Sequence, residues 1–142
     1  MWQTALHDPL KEIQSSSLSR FQVREATWKI ADHINDQEDF IPEVIDHITH
    51  LLLSDALVHP ISVVGVLYSA DLALPLKAQP WLLRELEGPD VIAACCAAQM
   101  LSISGGCVLL TEYLSTKTSP HQNVLEALWK AFLQHECDNH AV

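Results

Sequence analysis

Glu43, Asp46, His47 and His50 are the residues of this chain whose types and spacing best suit chemistry. Counted from Glu43 they fall at i+3, i+4 and i+7, so on a helix two carboxylates and two imidazoles share one stripe. That donor set could chelate a divalent transition metal, which would make the protein a metal-dependent enzyme or a metal sensor. The same spacing also describes a solvated helix face with Glu43–His47 and Asp46–His50 pairs, and a closed metal site needs further ligands. The solvated face is the expectation, with no metal and no cofactor assigned.

Two other clusters carry reactive types. His135-Glu136-Cys137-Asp138-Asn139-His140 is dense in ligand atoms, but on a helix His135 and Cys137 diverge, and a polar helix end accounts for it. Gly105-Gly106-Cys107 could place a thiol at a helix N-terminus, where its pKa falls, with His121 as a base. The following Val108-Leu109-Leu110 predicts burial instead. There is no P-loop, dinucleotide fingerprint, G-x-S-x-G or H-E-x-x-H. The four Trp read as core anchors. No catalytic residue is assigned, and the chain is expected not to be an enzyme.

Charge is more informative. The formal net charge is −10, and Asp32, Asp36, Glu38, Asp39, Glu43 and Asp46 fall within fifteen residues. Clustered like charge destabilises a compact chain through self-repulsion unless a partner offsets it, so these six are the expected partner-binding residues and a basic protein is the expected partner. The eight Lys and Arg are scattered without a basic stripe. Nucleic acid and anionic membrane surfaces are therefore not expected as partners.

These residues must be positioned by helices. The 142 residues are 49% hydrophobic, enough for one domain with a substantial core. Val23, Ala26, Ile30 and Ile34 mark a helix over Phe21–Asn35, with Trp28 flanking its apolar face. Ile41, Val44, Ile45, Ile48 and Leu52 mark a second over Phe40–Ser54, after the acidic loop 35–39. A short helix is predicted from Pro9 to Leu18, weakened by Ser15-Ser16-Ser17. Pro60 opens a helix to Leu74, with a buried strand over Ile61–Leu67 as the alternative. Pro80–Glu87 is predicted helical with Gly88 as its C′ residue. Asp90 starts an apolar helix ending near Ser104, and Gly106–Thr116 follows. Ser119 as N-cap, Pro120 and Gln122 predict a capping box at the last helix.

The sum is an all-α single domain of about seven or eight short antiparallel helices, as an irregular bundle or a short α-solenoid. Val91–Thr111 has no charged residue and is just long enough to span a bilayer. Its acidic flanks and the Gly105-Gly106 break predict two buried helices. Four Cys without a C-x-x-C pair predict free thiols in a reducing compartment, and with no secretory-signal pattern at the start the expected location is cytoplasmic.

The Ala-rich run into Ser102-Ile103-Ser104-Gly105-Gly106, followed by the Pro120 helix start and its aliphatic helix, gives residues 91–133 a resemblance to a small uncharacterised helical family associated with bacterial type VI secretion gene clusters. That resemblance implies an accessory or adaptor role and brings no catalytic residues. The expected function is a non-catalytic protein-binding module. It would be either such an accessory protein or an immunity-type inhibitor that blocks a basic toxin by charge complementarity.

Overall fold

The computed structural model describes residues 2–36 and 41–139, and no strand occurs among them. The fold is all-α. Length predicts one domain; the backbone gathers into two compact units, residues 1–74 and 75–142.

The first unit comprises α1 (Trp2–Ala5), α2 (His7–Glu12), α3 (Arg20–Asp36), α4 (Ile41–Leu53) and α5 (Pro60–Ser69). Helix α3 is its axis and packs against α2, α4 and α5. Val23, Ala26, Ile30 and Ile34 are fully buried, as their spacing predicts. Helix α2 stops at Glu12, short of the predicted Leu18, because Ser15 and Ser17 form a local hydroxyl pair in place of helix.

Helices α4 and α5 end in the same way. After α4, Asp55 adopts φ 57°, and Ala56 N–H donates to Leu51 O at 2.9 Å. After α5, Asp71 adopts φ 60°, and Leu72 N–H donates to Leu67 O at 2.8 Å. These are Schellman stops in which Asp stands where Gly is usual. The second corrects the predicted end of α5 from Leu74 to Ser69, and α5 is helix where a strand was the alternative.

The second unit comprises α6 (Gln79–Glu87), α7 (Val91–Ile103), α8 (Cys107–Thr116), α9 (Gln122–Leu128), a π-helical stretch Trp129–Leu133 and α10 (Gln134–Asn139). Helix α7 is central and packs against α6, α8, α9 and α10. That position explains the charge-free run, since a helix apolar on all sides needs neighbours on all sides. Ala93, Ala94, Ala97 and Ala98 are buried and let those neighbours approach closely. Asp90 is the N-cap of α7, its carboxylate accepting from Ile92 N–H at 2.9 Å. Gly105 ends α7 at φ 79°, and at Gly106 a Cβ would lie 2.5 Å from Leu101 Cδ2. Among the described residues no helix is long and apolar enough to cross a membrane.

Two expected caps differ. Gly88 ends α6 in an extended conformation, ψ 168°, because Pro89 follows it and disfavours helix at the preceding residue. Helix α9 begins at Gln122, and the capping box at Ser119 does not form. Ser119 Oγ accepts from His121 N–H at 3.1 Å. The Gln122 amide instead donates to Leu114 O at 2.7 Å, satisfying a carbonyl that the end of α8 leaves open.

Candidate partner-binding face

Helix α3 spends its inner face on the core, and its outer face is unusual. Phe21 is 69% exposed and Trp28 38% exposed. Seven residues apart on a helix, they lie about 20° apart around the axis and about 10 Å apart along it. Glu25 and Asp32, both exposed, fall within about 40° of the Phe21 direction, and exposed Asp36 continues the strip. The core residue Ile30 sits about 180° away from Phe21. Exposed Arg24 and Lys29 border the strip on its two sides. What α3 presents outward is therefore an aromatic ridge with carboxylates along it and one cation at each margin.

This revises the expected acidic surface. Asp32 and Asp36 share the α3 strip with the two aromatics. Glu43 and Asp46 are exposed on α4, a separate helix. Glu38 and Asp39 lie outside the described residues. Trp28, expected to flank the buried face, sits among the outward residues instead. The signal for the ridge was present in the sequence: Phe21 and Trp28 are seven apart and out of phase with Val23, Ala26 and Ile30.

The metal candidates do not assemble. Glu43, Asp46 and His50 are exposed and His47 is half-buried on α4. Among the described residues no group of three or more His, Cys, Asp or Glu could hold a metal ion. In the tail, Asn139 Nδ2 donates to His135 Nε2 at 3.2 Å, and Cys137 is committed elsewhere; His140 lies outside the described residues.

The cysteines correct the expectation of free thiols. Cys107 and Cys137 form a disulfide, Cα–Cα 5.8 Å, because α8 and α10 both pack on α7 and bring the two residues together. A bonded Cys107 sulfur is no nucleophile, and His121 Nε2–H donates to Gly88 O at 2.9 Å. The Cys107–His121 pair is therefore not assembled for catalysis. Cys95 and Cys96 are outside the disulfide and half-buried, and burial raises the Cys95 thiol pKa.

Compared with known protein families, curated proteins and solved structures, the chain finds no match.

Proposed function

We propose that this chain is a non-catalytic protein-binding module that docks a basic partner on the outer face of α3. The observation that carries the reading is the exposed Phe21–Trp28 ridge in register with Glu25 and Asp32. Aromatic side chains supply most of the energy at protein interfaces, and Trp is among the commonest energetic centres. A partner Arg can stack on Trp28 and pair with a flanking carboxylate in a single contact. The surrounding field favours the same sign of partner: eleven of the eighteen acidic residues, against four of the eight basic ones, lie in residues 1–74.

Within this class, the resemblance of residues 91–133 supports an accessory or adaptor protein of a type VI secretion system, and the acidic field supports an immunity-type inhibitor of a basic toxin. Cytoplasmic thiols and an oxidised Cys107–Cys137 pair belong to different compartments. Residues 1–74 contain no Cys, so docking on α3 is independent of that choice.

The test is parallel affinity capture from the native host with wild type and Phe21→Ala/Trp28→Ala as baits. The reading requires a basic protein held by wild type, lost with the double variant, and then bound by the purified wild-type chain alone. Captured proteins that bind both baits equally would sink it.

A further inference from the structure

The second unit contains a cleft of about 460 Å³ in which Leu114 and Trp129 are the apolar lining, and Lys117, Lys130 and Glu126 supply the charge. We propose that this cleft binds a small monoanion with a flat apolar body, of the aryl carboxylate class.

Its walls are α8 on one side and α9 with the π stretch on the other. Both are irregular at the cleft: Lys117 caps α8 in the left-handed region at φ 55°, and Trp129 and Lys130 open the π turn. The left-handed Lys117 is a common way for a helix to end, whereas a π turn inside a helix is rare and frequent at functional sites. The disulfide joins the first residue of α8 to α10, the helix that follows the π stretch.

The polar groups narrow the ligand. Thr111 Oγ1 donates to Cys107 O at 2.7 Å and Ser115 Oγ donates to Glu112 O at 2.8 Å, so these two cleft hydroxyls have only acceptor capacity left. The donors for an anion are then the two ammonium groups, neither ion-paired among the described residues. Gln122 Nε2 donates to Glu126 Oε1 at 2.9 Å and fixes the one carboxylate. Two cations against one anion leave the cleft at +1 within a chain of −10. That balance suits one negative charge and disfavours phosphates and other polyanions, which the surrounding field repels. The volume is that of a small-molecule site, and the Trp129 ring offers a flat apolar surface for the ligand body.

The experiment is a titration of the ¹⁵N-labelled full chain with 2-naphthoate and, separately, its neutral analogue 2-naphthamide, followed by amide and indole N–H shifts. Saturable shifts should centre on Thr111, Ser115 and the Trp129 indole. The amide should bind about tenfold more weakly, the size of one charge-assisted contact. Lys130→Gln and Lys117→Asn should each weaken naphthoate binding by about the same factor, and Asn tolerates the left-handed backbone at 117. Glu126→Gln should tighten it, an effect that general loosening of the cleft would not produce. Equal binding of acid and amide, shifts scattered over both units, or unchanged affinity in both lysine variants would each overturn the proposal.

Discussion

Ser19 and Gln22 cap each other at the start of α3: Ser19 N–H donates to Gln22 Oε1 at 2.9 Å, and Gln22 N–H donates to Ser19 Oγ at 3.2 Å. Both groups would otherwise be unpaired donors of the helix N-terminus. Helix α3 is the axis of the first unit, so its first turn fixes where the Phe21 ridge begins. Ser19→Ala should lower unfolding free energy by about 1 kcal/mol, read from urea titration, and Gln22→Ala by less. An unchanged midpoint for Ser19→Ala would mean that the box adds nothing to water capping.

The same Ser-x-x-Gln pattern stands at Ser119-Pro120-His121-Gln122, where the sequence predicts a box and none forms. The difference lies outside the pattern itself. Gln122 donates across the turn to Leu114 O at the end of α8, eight residues back, and Gln22 has the backbone of Ser19. Tertiary context of this kind is what a linear reading misses. Periodicity, by contrast, placed the buried faces of α3 and α4 correctly, because burial of an apolar stripe is a property of the stripe itself. The end of α4 is legible to within one residue, Ser54 against Leu53, while the stop at Asp71 is not, because Asp marks the left-handed region less plainly than Gly. The cluster of acidic residues from 32 to 46 was legible as charge, and its four described members lie on two helices, Asp32 and Asp36 on α3 and Glu43 and Asp46 on α4; the aromatic ridge on α3 needed the opposite face to be read as carefully as the core. The disulfide was not legible, since thirty residues separate its ends and the contact exists only once α8 and α10 have packed on α7.

That disulfide should contribute to the stability of the second unit. Closing a loop of 30 residues restricts the unfolded chain by about 3–4 kcal/mol in the loop-entropy treatment. Non-reducing mass spectrometry should find Cys107 and Cys137 linked and Cys95 and Cys96 in no disulfide. The double variant Cys107→Ser/Cys137→Ser should unfold at clearly lower urea, and added reductant should lower the wild type but not the variant.

Asp55 provides a backbone test. Its φ of 57° strains any residue bearing a Cβ, while Gly adopts it without penalty. Asp55→Gly should therefore be neutral or stabilising by up to about 1 kcal/mol, and Asp55→Ala destabilising by about 1 kcal/mol. The order Gly above Asp above Ala in melting temperature checks the Schellman stop. Ala equal to Gly would contradict it.

Cys95 gives a pH dependence of known sign. Burial raises its thiol pKa in the folded chain, so between the unfolded and folded values the unfolded state has released a proton that the folded state still holds. Stability contributed by the neutral thiol is complete below the unfolded pKa and falls as pH rises through that window. Cys95→Ala should lose part of the alkaline decline in unfolding free energy seen for wild type. Iodoacetamide should also label Cys95 more slowly than a free peptide thiol at the same pH, since the thiolate is the nucleophile.

The docking face makes the most discriminating prediction because its two ingredients respond to different variables. Phe21 is 69% exposed and Trp28 only 38%, so Phe21→Ala should change stability by less than about 1 kcal/mol while the double variant loses on the order of 1–3 kcal/mol and stays folded. If α3 docks the partner, the same replacement should weaken binding by tenfold or more, on the order of 1.4 kcal/mol, mainly through faster dissociation. Neutralising Asp32 and Asp36 together to Asn should act differently. It should slow association at low salt and flatten the dependence of association on ionic strength, while dissociation changes less. Surface plasmon resonance across a salt series separates the two outcomes for whichever basic protein the wild-type chain binds directly. Were the aromatic variant to keep full affinity while the Asn variant lost it, the carboxylates alone would form the contact. Were both to bind as wild type, the partner would meet another face, and Glu43 and Asp46 on α4 would be the next residues to neutralise.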